Sequence, residues 1–169
     1  MRAWLAGTVL IAVAVLFPSR AHAFERQWHV GVDAGYASLF GDNSAAGYGA
    51  GGHLTYGLTD AFNALLEVDV TRQPSAHTTI ASGALGVAYT LDVARLVPYG
   101  GVLAGGYKLG GDLSTTAPGV QIALGLDYAI DRSWAIGLQL RMHTIFARDP
   151  IGTVAYATTF LRFEYVWGF

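Results

Sequence analysis

The sequence predicts an all-β protein, an eight-stranded antiparallel up-and-down transmembrane β-barrel. Three observations predict it. The first is composition: the 169 residues are 53% hydrophobic and only 13% charged, whereas about a quarter of a typical soluble chain is charged. Past the N-terminus, no apolar run approaches the roughly 20 residues that a spanning helix requires. The second is the final stretch, where Leu161, Phe163, Tyr165, Trp167 and Phe169 alternate with Arg162, Glu164, Val166 and Gly168. Period two marks a strand whose faces meet different media. A bare aromatic strand ending on Phe169 invites aggregation in water, but not when it closes a barrel in lipid. The third is that seven more segments repeat the pattern upstream, each offering one face free of charge.

Residues 1–23 read as a cleaved secretory signal peptide. Arg2 supplies the positive start, Leu5 to Phe17 the apolar region, and Ala21-His22-Ala23 the small-x-small cleavage site. The barrel domain is then expected over residues 24–169. The first strand is expected over Gln27 to Ser38, with Trp28, Val30, Val32, Ala34 and Tyr36 facing lipid and His29, Gly31, Asp33 and Gly35 opposite. Gly41-Asp42-Asn43 signals a turn. The second spans Gly47 to Gly57, with Tyr48, Ala50, Leu54 and Tyr56 against His53 and Thr55. The third spans Ala61 to Thr71, setting Phe62, Ala64, Leu66, Val68 and Val70 against Asn63, Leu65, Glu67 and Asp69, before Arg72-Gln73-Pro74-Ser75 breaks the pattern.

The fourth strand runs from His77 to Leu91, with Ala81, Gly83, Leu85, Val87, Tyr89 and Leu91 outward. The fifth runs from Val97 to Leu109, with Val97, Tyr99, Leu103, Tyr107 and Leu109 expected outward and Lys108 inward. Gly110 to Pro118 reads as a loop. The sixth, Gly119 to Ile130, sets Val120, Ile122, Leu124, Leu126, Tyr128 and Ile130 against Gln121 and Asp127. The seventh, Trp134 to Phe146, sets Trp134, Ile136, Leu138, Leu140, Met142 and Phe146 against Gln139, Arg141 and His143. Crossing a bilayer with tilt takes about 9–11 residues per strand, and every segment is long enough. The aromatics are expected in two girdles at the two headgroup levels. Trp28, Tyr56, Phe62, Tyr89, Tyr99, Tyr128, Trp134 and Trp167 form one; Tyr36, Tyr48, Tyr107 and Phe146 form the other.

The signal peptide, the eight amphipathic strands, the closing Leu161-to-Phe169 segment and the Val97-Pro98-Tyr99-Gly100-Gly101-Val102-Leu103-Ala104-Gly105-Gly106-Tyr107 stretch together resemble the small eight-stranded outer-membrane barrels of Gram-negative bacteria, the OmpA-transmembrane and OmpX-like group. The resemblance implies an outer-membrane location with both termini in the periplasm. It implies outer-membrane lipids as surroundings, and recognition of the terminal aromatic strand by the outer-membrane insertion machinery. The group includes anchors, adhesins, small pores and lipid-modifying enzymes, so it fixes no single activity. No peptidoglycan-binding domain is expected after Phe169, and the outer loops, of six to nine residues as expected here, are short for binding loops of the group.

An eight-stranded barrel is only wide enough for side chains to fill it. The inner charges must therefore pair or hold water. A polar network of Asp33, Glu67, Asp69, Asp127, Arg141, His143, Arg162 and Glu164 is expected, with Arg141 and Arg162 meeting Glu164, Asp33 or Glu67 at mid-height. It can serve as a rigid, register-fixing core or, if partners exchange, as a gate on a thin water path. Inner glycines at Gly31, Gly35, Gly86, Gly100, Gly106, Gly125 and Gly137 leave room for water.

Other chemistry is excluded or weak. Net charge is −2, so nothing points to nucleic acid, and the absence of cysteine removes disulfides and thiolate chemistry. No His, Asp or Glu group has metal-ligand spacing, and no cofactor is implied. Gly47 to Gly52 spells GxGxxG, but no helix follows to bind phosphate. His77, beside Ser75, is the one outward rim histidine; it lacks a catalytic constellation, and His143-Thr144 points inward. The expected function is therefore structural and non-enzymatic: an integral outer-membrane barrel serving envelope integrity, with at most a narrow gated water or ion path. The alternatives are a surface-binding module using Leu39 to Ala46 and Gly110 to Pro118, and a lipid-modifying enzyme.

Overall fold

The computed structural model describes residues 26–41, 44–91, 95–111, 114–148 and 152–168. The signal peptide over residues 1–23, the cleavage site, Asp42-Asn43 of the first turn signal and Phe169 lie outside the described residues. Eight strands follow one another: β1 (Trp28–Leu39), β2 (Ala45–Gly57), β3 (Phe62–Gln73), β4 (Thr78–Thr90), β5 (Leu96–Gly110), β6 (Thr115–Ala129), β7 (Trp134–Phe146) and β8 (Thr153–Trp167). Each pairs antiparallel with the next, and β8 closes on β1, with Trp28 opposite Trp167 and Asp33 opposite Arg162. Strands of twelve to fifteen residues exceed the membrane minimum. Closure leaves no unpaired edge for lipid to meet.

Alternation is nearly complete. Outward Val32, Leu85 and Leu161 are 65%, 62% and 63% exposed, while inward Glu67 and Arg141 are 1% and 0% exposed. Apolar surface outside and charge inside is the reverse of a soluble barrel, and it fits a lipid surround. Two turns at the end carrying the termini, between β2 and β3 and between β6 and β7, are tight. Thr59 Oγ1 accepts from the backbone N–H of Phe62 at 3.0 Å, and Asp131 Oδ1 from those of Ser133 and Trp134 at 2.7 and 2.9 Å. Around this terminus rim runs an aromatic ring. Trp28 packs on Tyr56 at 4.5 Å between ring centroids, Phe62 on Tyr89 at 5.3 Å, and Trp134 on Phe163 and Tyr165 at 4.9 Å each.

β5 corrects the sequence-based assignment. Val97, Leu103, Tyr107 and Leu109 face inward and are buried, Tyr99 also points in, and Lys108 is outward and exposed. Both faces of this segment lack acids, so alternation alone allows two solutions. Pairing decides between them. Val102 stands beside Val87 and Ile122 on the lipid face, and Leu103 beside Gly86 and Gln121 on the inner face. The interior accepts these bulky residues because glycines make room: a Cβ on Gly86 would overlap Leu103, and one on Gly125 would overlap the Tyr99 ring. Gly100 and Gly106, expected inside, therefore face out, and neither Tyr99 nor Tyr107 belongs to a girdle.

Strand ends correct two further points. β3 continues through Arg72 and Gln73, so the outward faces carry two cations, Arg72 and Lys108, and are not free of charge. β6 begins at Thr115, with Ala117 and Pro118 opposite Tyr107 and Gly106, and β2 begins at Ala45. Pairing persists past the glycines that suggested loops. The far-rim connections shrink to four to six residues, below the six to nine expected. Pro74–Ala76 forms a single 3-10 turn, and His77 ends it in the left-handed region (φ 48°) and is exposed.

The interior is layered. Toward the far rim, Leu39, Ile80, Tyr107, Leu109, Ile145 and Tyr156 form an apolar plug. Toward the terminus rim, Leu65, Ala84, Ala88, Leu103 and Ala123 cover one wall, on β3 to β6. The charged side chains lie between and beside these clusters.

Candidate functional site

The candidate site is the charged belt inside the barrel. All eight side chains expected there face inward: Asp33, Glu67, Asp69, Arg141, His143, Arg162 and Glu164 are buried, and Asp127 is half-buried. Period-two alternation places them, and strand pairing sets their heights.

Arg141 is the crossbar. It rises from β7, and in a closed order of eight strands β3 is the opposite wall. Arg141 Nη1 donates to Glu67 Oε2 at 3.2 Å and to Asp69 Oδ2 at 3.1 Å, both on β3. Gln139, also on β7, donates from Nε2 to Glu67 Oε1 at 2.7 Å, and Gln121 of β6 donates to Glu67 Oε2. Ser82 Oγ donates to Asp69 Oδ2 at 2.7 Å. The guanidinium also lies 4.8 Å over the Phe160 ring. Such charge-assisted bonds are stronger than neutral ones, and here they tie opposite walls across the lumen.

Arg162, on β8, is the second node. Its guanidinium donates to the Tyr99 hydroxyl and to Asp127 Oδ2 at 3.4 Å, and lies 3.3 Å from Glu164 Oε1 and 3.6 Å from Asp33 Oδ1. Two histidines join the nodes. His53 Nδ1 is 3.0 Å from both Asp33 oxygens, and its Nε2 is 3.5 Å from Glu164 Oε2. His29 Nδ1 is 3.2 Å from the same Glu164 oxygen. His143 sits higher, stacked on Tyr156 at 4.1 Å and within 3.2–3.3 Å of the Tyr107 hydroxyl and Thr158 Oγ1.

The inner face thus holds five carboxylates (Asp33, Glu67, Asp69, Asp127, Glu164) and two guanidiniums (Arg141, Arg162). Among the described residues, Asp69 Oδ1, Asp127 Oδ1 and Arg141 Nε make no hydrogen bond to protein, leaving spare capacity for rearrangement. On the terminus side a small open vestibule, with a cavity volume of about 30 Å³, is lined by His29, Asn63, Thr90, Tyr99, Asp127 and Arg162. The belt and the apolar plug separate it from the far rim. No cluster of three or more His, Cys, Asp or Glu side chains forms a metal site among the described residues.

Alternation alone reaches the acids and arginines. It misses Tyr99, Tyr107, Tyr156 and Phe160, which complete the belt and plug. Their signal in the sequence is indirect: glycines on neighbouring strands, such as Gly125 opposite Tyr99 and Gly35 opposite Phe160.

A closed, eight-stranded, lipid-faced barrel with a charged interior defines an integral outer-membrane β-barrel protein. The chain belongs to the outer membrane protein beta-barrel domain family, whose model matches residues 8–169. Among solved structures it is similar to Neisserial surface protein A (TM-score 0.74, 17% identity, 82% of this chain and 96% of that one). It is also similar to the N-terminal β-barrel domain of Pseudomonas aeruginosa OprF (0.62, 14%, 85% and 98%) and to Ail, the attachment invasion locus protein of Yersinia pestis (0.59, 13%, 85% and 99%). At these identities the likeness is one of fold. No curated protein matches the chain by sequence.

Proposed function

We propose that the protein is a closed, non-enzymatic barrel that strengthens the outer membrane. In this reading it is exported with residues 1–23 removed, sits with both termini in the periplasm, and is inserted through recognition of its C-terminal aromatic strand. Its partners are then the membrane lipids and the insertion machinery. One observation carries the structural role: Arg141 reaches across the lumen to Glu67 and Asp69 beneath an apolar plug. A bridge between opposite walls stiffens a barrel and obstructs it. Connections of four to six residues at the far rim give a binding module little surface to work with. The rim histidine His77 is exposed on a turn, and His143 directs its two ring nitrogens at Tyr107 and Thr158, which argues against a lipid-modifying site.

A narrow gated path is the second reading, favoured by the unsatisfied Asp69 and Arg141 atoms, which give the guanidinium other places to go. Planar-bilayer recording separates the two. The wild-type barrel is expected to be silent, as is Arg162→Ala, because the Arg141 crossbar and the plug remain. Arg141→Ala is expected to give small discrete openings. Steady openings in the wild-type protein would overturn the closed-barrel reading.

A further inference from the structure

Among the described residues, the outward faces of all eight strands carry two charged side chains, Arg72 and Lys108. Both are cations, both are exposed, and both lie at the far-rim end of their strands, on either side of β4. Arg72 stands opposite Thr79 of β4, and Lys108 stands opposite Ala81 of β4 and Thr116 of β6. Strand spacing and the two-residue offset put their Cα atoms roughly 12 Å apart. Neither guanidinium nor ammonium has an ion-pair partner among the described residues.

The surroundings make the pair more specific. Tyr36 and Tyr48 continue an aromatic ring around this rim on β1 and β2, as does Phe146 on β7. Neither β8 nor β3 to β6 carries an outward aromatic at this level, and on β3 to β6 Arg72, Thr79, Lys108 and Thr116 occupy it. Below them the wall is low: a Cβ added to Gly106 would meet nothing within 4 Å, and one added to Gly83 only Val68, at 3.8 Å. Long basic side chains at a membrane interface extend their heads to the headgroup level, where the anions they meet are lipid phosphates.

We propose that Arg72 and Lys108, with the hydroxyls of Thr79 and Thr116, form a site for the phosphorylated headgroup of a lipid seated against the far-rim end of β3 to β6. The two cations bind phosphate and the threonines supply hydrogen bonds. The low wall of Ala81, Gly83 and Gly106 accommodates the acyl chains. A lipid bearing two phosphates suits cations set this far apart. With the termini in the periplasm, the site lies in the outer leaflet.

The test is titration of the protein, purified in detergent, with a diphosphorylated glucosamine-based lipid, read by native mass spectrometry; phosphatidylcholine and inorganic phosphate are run alongside. Measured in detergent, binding is independent of orientation and of whether the barrel conducts. The double variant Arg72→Gln/Lys108→Gln is expected to bind the diphosphorylated lipid about thirtyfold more weakly. Lys108→Arg is expected to bind as the wild type does. Arg95→Gln/Arg132→Gln, which removes equal charge from the turns at the terminus rim, is expected to leave binding unchanged. The proposal is overturned if the first double variant binds normally, if the control double loses as much, or if inorganic phosphate at equal concentration displaces the lipid.

Discussion

Gly125 decides where the Tyr99 ring can lie, because a Cβ there would overlap it. The ring carries the hydroxyl that meets Arg162 and lies under its guanidinium, 4.9 Å from the ring centroid. Overpacking of this kind costs about 1–3 kcal/mol. Gly125→Ala should therefore destabilise the barrel by that amount in urea unfolding from lipid vesicles, and Tyr99→Leu in the same chain should relieve most of it. Arg141 poses the opposite problem, since its loss leaves Glu67 and Asp69 buried without their cation. Removing one partner of a buried pair costs about 3–5 kcal/mol. Arg141→Ala should lose stability on that scale, with Glu67→Gln recovering part of it. No loss at all would mean that the crossbar is not what holds the two walls.

At the scale of the strand, seven of the eight faces were legible because each has one apolar side and at least one polar or charged group opposite. Glu67 and Asp69 leave β3 no choice, and Arg162 and Glu164 leave β8 none. β5 has no acid, and its only charge, Lys108, sits near the end, where either face reaches the headgroup level. Its orientation is set by neighbours: Gly86 and Gly125 admit Leu103 and Tyr99, and a single sequence read strand by strand does not show which glycine faces which side chain. The geometry of the Arg141 contacts was hidden for the same reason. That it meets Glu67 was expected; that it does so from the opposite wall, with Asp69 sharing the same nitrogen, depends on closure and tilt. A cysteine pair tests the β5 assignment. With a small fluorophore attached to the unfolded chain before refolding, since a thiol facing lipid is a poor nucleophile, Val102→Cys should be quenched by brominated lipid in vesicles and Leu103→Cys should not; the reverse result would restore the sequence-based face.

For the molecule as a whole, the layers from vestibule to belt to plug make the two ends of the barrel unlike, although the strands run through both. The belt is also unevenly distributed along the chain. Asp33, Glu67 and Asp69 belong to β1 and β3, whereas both guanidiniums belong to β7 and β8. Four of the five inner acids precede both arginines in the chain, and Glu164 alone follows them. A sheet of the first six strands alone holds Asp33, Glu67, Asp69 and Asp127 with neither arginine to meet them. Neutralising the interior and closing the sheet are then a single event, and a sheet not yet joined by its last hairpin has an electrostatic reason to stay out of the bilayer.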